Sequence, residues 1–116
     1  MTDATLARFR ERLEGERRAT LQLMAELGAD IKLIVDARQD SNNDDEHDPE
    51  GSTIAFERSQ TDALLRQSEQ RLGDIAAALA RIEAGTFGVC ENCGRPIAAA
   101  RLDARPSARH CIACAV

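Results

Sequence analysis

The chain's four cysteines stand as Cys90-x-x-Cys93, then seventeen intervening residues, then Cys111-x-x-Cys114. Two thiolates three positions apart can reach one tetrahedral Zn²⁺ from a single tight turn, and a second pair returning after a short excursion completes a Cys₄ set. Gly94, directly after Cys93, suits the backbone of that first turn because glycine tolerates φ > 0. The competing pattern is two disulfides. Against it, the N-terminal stretch Met-Thr-Asp-Ala-Thr-Leu-Ala-Arg-Phe-Arg has no apolar signal-peptide core, so a reducing, cytoplasmic setting is expected. The spacing therefore predicts one structural Zn²⁺ held by Cys90, Cys93, Cys111 and Cys114. Four protein thiolates leave no coordination position for water or substrate, which makes the metal a fold element and argues against a zinc hydrolase.

At 116 residues the chain is one small domain or two small modules, too short to enclose a large active-site cavity, and the metal compensates for a modest core. Aromatics make up 3% of it, with Phe9, Phe56 and Phe87 and no Trp or Tyr, which removes the usual stacking platforms for single-stranded nucleic acid. A net charge of −5 points away from a freestanding, sequence-specific DNA-binding module, whose surface is normally basic. No apolar run approaches the roughly 18 to 20 residues of a membrane span, the longest being broken by Lys32 in Ile31-Lys32-Leu33-Ile34-Val35. A soluble monomer with no membrane partner is expected.

From about Asp3 to Arg38 there is no proline, and apolar residues recur at Leu6, Phe9, Leu13, Met24, Leu27, Ile31 and Ile34, which is helical spacing. A second stretch, from about Thr53 to Ala84, sets Leu65, Leu72, Ile75, Leu79 and Ile82 on steps of three and four, with Ser68 in register, as in a coiled-coil seam. Gly85 is placed to end it as a C′ residue. Helices this long need a partner for their apolar stripe, and the simplest partner for each is the other. The fold class that follows is all-α dominated: a long antiparallel two-helix coiled-coil hairpin over residues 1–84, with a small C-terminal Cys₄ zinc finger over 85–116. Both chain ends and the finger fall at one end of such a hairpin and the turn at the other.

That turn, around residues 39–52, carries six acids and no Lys or Arg. Asp48-Pro49-Glu50 fits a helix start, with Asp48 capping and proline at the first helical position. A like-charged loop can be only a solvated connection. The other reading is a long stalk that holds a carboxylate cluster, with Asp44, Asp45, Asp48 and Glu50 as its candidates, away from the body for insertion elsewhere. Asp40-x-Asn42-x-Asp44 opens like a calcium loop, but Asp45 stands where that loop needs glycine and Gly51 where it needs glutamate. His47 and His110 have no supporting catalytic partners, the thiols are committed to metal, and no hydroxyl has a base beside it, so the chain is not expected to be an enzyme. In the finger, Arg95, Arg101, Arg105 and Arg109 form a local basic set, and Phe87, Ile97 and Leu102 are its expected small core. The arginines are either a solvated or internally paired face, or one that meets a partner.

The run Gly-Thr-Phe-Gly-Val-Cys-Glu-Asn-Cys-Gly over 85–94, then Ala-Arg-Leu-Asp-Ala-Arg-Pro over 100–106, then Cys-Ile-Ala-Cys over 111–114, resembles the DksA/TraR family of bacterial transcription regulators. The resemblance is looser over the hairpin but covers nearly the whole chain. It implies a protein that binds RNA polymerase rather than DNA, gripping the rim of the secondary channel with its head and passing the coiled coil inward to place an acidic tip near the active centre. Arg101 and Arg105 are then candidate polymerase contacts. Two departures matter. The family's Asp-Pro-x-Asp tip appears here as Asp48-Pro49-Glu50-Gly51, with glycine in place of the second acid, while ungapped counting from Cys90 puts Glu50 there. The chain ends at Val116, ahead of the basic helix that follows the finger in DksA-type members, and Asp74 falls near a position where a basic residue is expected; both argue against a response to guanosine tetraphosphate, although Arg105 matches one basic residue of that site. Two other functions fit parts of the pattern: a Gre-like transcript-cleavage stimulator, whose tip carboxylates help hold a catalytic Mg²⁺, and a zinc-stabilised interaction adaptor with no polymerase role.

Overall fold

A computed structural model describes the backbone at residues 1–40 and 49–115 and the side chains at 1–28 and 53–115. Three helices follow in order: α1, Asp3–Asp40; α2, Pro49–Ala84; and α3, Ala99–Ala104. Proline does open the second long helix, four residues before the start that hydrophobic spacing suggests, because its fixed φ and missing N–H cost nothing in a first turn. The far end of α2 closes as a Schellman motif. Gly85 takes φ 77°, the Thr86 N–H donates to the Arg81 carbonyl at 2.9 Å, and the Gly85 N–H to that of Ile82 at 3.3 Å. No strand forms among the described residues, only an isolated antiparallel bridge between Val89 and Pro96. No described helix is long and apolar enough to cross a membrane.

The chain packs as two compact units, and both long helices run through both. The first comprises Met1–Ala19 and Leu72–Val116. In it α1 and α2 run antiparallel, with Phe9 and Leu13 packed against Ile75, Ala78 and Ile82, and the Arg10 guanidinium 2.9 Å from Glu83 near the close of α2. The finger does not build a core of its own. Phe87, Ile97, Leu102 and Ala108 join the same cluster, and the Phe9 and Phe87 rings meet at 5.3 Å. Arg8 and Arg12 lie over the Phe9 ring and pair with Asp103 in α3, which anchors the finger's helix to the start of α1.

The second unit is Thr20–Arg71, where Leu27 of α1 is buried and Leu65 of α2 half-buried. Ser68 is buried as the seam register predicts, and so is Thr20, another small polar residue, which the apolar pattern passes over. In the first unit, by contrast, Leu72 and Leu79 are only half-buried, whereas Ala78, outside the predicted stripe, is wholly inside. Asp44, Asp45 and Asp48 lie outside the described residues. Glu50 is in the first turn of α2, with its side chain outside the described set, as are those of Ile31 and Ile34.

Candidate metal centre

Each cysteine pair sits in a turn that the backbone closes on itself. In the first, the Cys90 N–H donates to the Arg95 carbonyl at 2.9 Å and the Gly94 N–H to that of Cys90 at 3.0 Å, while Gly94 holds φ 74°, the left-handed conformation its position asks for. In the second, the Cys114 N–H donates to the Cys111 carbonyl at 3.0 Å. The Ile97 N–H reaches the Gly88 carbonyl at 2.8 Å, fastening the returning strand of the first turn under the Val89 to Pro96 bridge. A bond from the Glu91 N–H to the Arg109 carbonyl, 2.9 Å, then joins one turn to the other.

This brings all four Sγ atoms within 4.8 Å of one another, with Cys93 and Cys111 at 3.7 Å. At a Zn–S bond of about 2.3 Å, a tetrahedron has S···S edges of about 3.8 Å, so the set has the size of a zinc tetrahedron. The four are free thiols, and Cys90 is buried while Cys93 faces solvent. Their protonation points the same way. Backbone N–H groups, that of Cys93 foremost, pull the Cys90 thiol down to about 6 against the opposing effect of burial. The Asn92 amide favours the Cys114 thiolate, yet the neighbouring sulfurs of Cys111, Cys93 and Cys90, with burial, push that thiol up to about 11. Four sulfurs this close cannot all ionise alone, and a dication at their centre removes the conflict. The residues fit one structural Zn²⁺, bound by Cys90, Cys93, Cys111 and Cys114, and the closed donor set supplies folding energy.

Two side chains that the sequence reading did not single out support this centre. Arg81, with its side chain only 10% exposed, extends from α2 to the Glu91 carboxylate at 3.4 Å and to the Ser107 and Ala108 carbonyls at 3.4 and 3.5 Å. Burial lowers its pKa, partly offset by Glu91. Its place one residue before Ile82 put it beside the seam, but a charged residue there reads as a surface position until the finger folds over it. Asn92, inside the first Cys-x-x-Cys, donates its amide Nδ2–H to Cys114 Sγ at 3.4 Å.

The four arginines of the finger separate into two kinds. Arg109 is paired with Asp74 of α2 at 3.2 Å, and Arg101, half-buried, donates Nε–H to the His110 carbonyl at 2.8 Å. Arg95 and Arg105 are exposed, and among the described residues neither guanidinium has an ion-pair partner.

Comparison with known proteins falls in line with this geometry. Residues 85–116 match the model of the prokaryotic dksA/traR C4-type zinc finger. YlyA of Bacillus subtilis (strain 168) is 42% identical over 55 residues, 47% of this chain, and the chain spans 44% of YlyA's length. The RNA polymerase-binding transcription factor DksA of Escherichia coli (strain K12) is 33% identical over 115 residues, covering 98% of this chain and 71% of that protein. The structure of transcription factor DksA2 from Pseudomonas aeruginosa superposes with a TM-score of 0.80 at 26% identity, over 97% of this chain and 81% of that one. A similarity that starts at the zinc ligands and continues through both long helices is more than a shared finger: the chain belongs to the DksA/TraR family.

Proposed function

We infer that this protein is an RNA polymerase-binding transcription regulator. The observation that carries the reading is the extent of the similarity to E. coli DksA, which covers 98% of this chain and therefore the helical hairpin as well as the finger. In functional terms the chain divides into the hairpin, residues 1–84, and the finger, 85–116. The finger and the helix ends packed on it grip the polymerase, with Arg105 and Arg101 at the contact. The acidic turn, through Asp44, Asp45, Asp48 and Glu50, enters the secondary channel and modulates initiation without itself catalysing a reaction.

Physical reasons favour this division of labour. At 1.5 Å per residue, the 36 residues of α2 make about 54 Å of helix, enough to carry a turn deep into a pore. Carboxylates in a partly water-excluded channel act on metal ions and phosphates more strongly than in bulk water. Zinc, by fixing the finger to the helix ends, gives the grip a rigid base.

The test is a binding assay of the zinc-loaded protein against purified bacterial RNA polymerase, with a Gre factor as competitor. Saturable binding displaced by the Gre factor is the expected result. Absence of binding would leave the zinc-stabilised adaptor as the better reading.

A further inference from the structure

The two residues between Cys90 and Cys93 reach across to the second cysteine pair. Glu91 does so through its backbone N–H, which donates to the Arg109 carbonyl at 2.9 Å. Asn92 does so through its side chain, with Nδ2 3.4 Å from Cys114 Sγ, a separation suited to sulfur's large radius. A carboxamide offers a donor edge and an acceptor edge, and a metal-bound thiolate can only accept, so the nitrogen is the atom that belongs against the sulfur. The bond is not local to one turn, since twenty-two positions separate its partners.

We propose that Asn92 is a positioning residue of the zinc centre: its amide N–H holds the Cys114 thiolate in place across the two turns and offsets part of the excess negative charge that four thiolates leave around one dication. The chemistry demands such a group. Zn²⁺ with four thiolates carries a formal charge of −2, and N–H donors to the sulfurs are the means by which a protein stabilises that charge without adding a ligand. In the first Cys-x-x-Cys the Cys90 and Gly94 amides donate to the Arg95 and Cys90 carbonyls and so close its turn. The Cys114 backbone is held in its own turn by its N–H bond to the Cys111 carbonyl, and the Asn92 amide adds a bond to its sulfur from the opposite turn. Asn92 is itself exposed, which leaves no packing role to explain it.

The experiment uses the full-length protein and competes zinc away with a chromogenic chelator. Asn92→Ala should bind zinc about 10- to 100-fold more weakly, the range found for outer-shell partners of metal ligands. Asn92→Asp keeps the shape but replaces the donor with a carboxylate, and should lose more than Asn92→Ala. Two further measurements separate positioning from general stability. The melting of the metal-free protein should be the same in wild type and Asn92→Ala. With Co²⁺ in place of Zn²⁺, the ligand-field bands should keep their tetrahedral pattern while the thiolate-to-cobalt charge-transfer band moves to lower energy, because a sulfur without its N–H donor gives up electron density more readily. Wild-type zinc affinity in both variants would overturn the proposal, as would an affinity loss matched by equal destabilisation of the metal-free protein with the charge-transfer band unmoved.

Discussion

The Arg81 guanidinium lies 3.4 Å from the Glu91 carboxylate and so ties the second long helix to the loop between the first two zinc ligands. The same guanidinium meets the Ser107 and Ala108 carbonyls on the approach to the second pair, so this side chain of α2 is hydrogen-bonded to both halves of the finger. Zinc and helix packing are therefore not independent supports. The metal organises the loops, and Arg81 with the shared apolar cluster fixes those loops to the helix ends.

Arg81→Ala should therefore destabilise the first unit by about 1–3 kcal/mol, the cost of losing charge-assisted bonds and leaving buried carbonyls without a donor. Glu91→Gln should cost under about 1 kcal/mol, since that carboxylate is 43% exposed and screened by water. Thermal denaturation of the zinc-loaded proteins reads both. A melting point for Arg81→Ala indistinguishable from wild type would show that the finger needs no anchor on α2.

Metal analysis should find one zinc per chain. Cys90→Ser, removing the buried ligand, should sacrifice much of a metal-linked folding energy on the order of 10 kcal/mol. Because Phe87, Ile97 and Leu102 share one cluster with Phe9, Leu13 and Ile75, the damage should spread beyond residues 85–116 into the ends of both long helices. Far-UV circular dichroism should thus fall by more than the short helix α3 can account for, while the parts of α1 and α2 within the second unit keep their helicity. Loss confined to the finger would contradict the shared core.

Zinc retention should weaken as pH falls. Binding requires four thiolates, so each proton the metal-free site holds at a given pH must be displaced. Cys114, pushed up to about 11, is protonated throughout the neutral range and contributes one displaced proton at any pH below that value. Cys90, drawn down to about 6, is already ionised at pH 7 and adds a further one only below about 6. Zinc affinity should accordingly fall with decreasing pH and fall more steeply below about 6. Proton release measured by titration in weak buffer should rise across the same point, and a release that stays flat from pH 7 to 5 would contradict the assignment to Cys90.

A carboxylate placed on the seam should collapse the hairpin where the seam is closed. Ile75 is 1% exposed, and Ile75→Asp should cost several kcal/mol, comparable to the stability of so small a fold. Leu72→Asp should cost less, because Leu72 is half-buried and a carboxylate there can turn toward water. Gln67→Ala, on an exposed position, should be nearly silent. Chemical denaturation gives the order, and Leu72→Asp proving worse than Ile75→Asp would mean the helices face each other differently.

Much of this architecture is written in local sequence, and the reasons are physical. Steps of three and four from Leu65 to Ile82 mark a helix because burial follows its period, and Gly85 and Gly94 mark turns because only glycine takes their positive φ without strain. Cysteine spacing gives the metal because coordination geometry restricts it. What local sequence does not carry is the choice among residues of one class. Arg81 is buried and Arg105 exposed, Arg109 pairs with Asp74 while Arg101 bonds a backbone carbonyl, and each outcome depends on where a distant segment lands. Thr20 and Ala78 are buried as well, though neither is one of the large apolar residues by which a periodic pattern is read.

Those placements sharpen the separation of polymerase binding from polymerase regulation. Arg101 is the poorer probe of the two candidate contacts, because its Nε–H holds the His110 carbonyl beside a zinc ligand, and Arg101→Glu should lower finger stability as well as binding. Arg105 is exposed, its backbone N–H closes α3 on the Arg101 carbonyl, and its side chain is free of any described ion pair, so Arg105→Glu should weaken binding to RNA polymerase with zinc content and melting unchanged. The loss should be greater at low salt, where charge steering is least screened. Replacing Asp45, Asp48 and Glu50 together by Ala should do the reverse. Polymerase binding, zinc content and helicity should persist, since those acids supply no zinc ligand, whereas the effect on initiation should vanish with the carboxylates proposed to act near the active centre. An abortive-initiation assay run beside the binding competition reads both arms. A triple variant that regulates at full potency would remove the inserted-tip mechanism while leaving the polymerase-binding reading intact, and transcript cleavage lost in that variant would instead assign the tip acids to a Gre-like role in holding catalytic Mg²⁺.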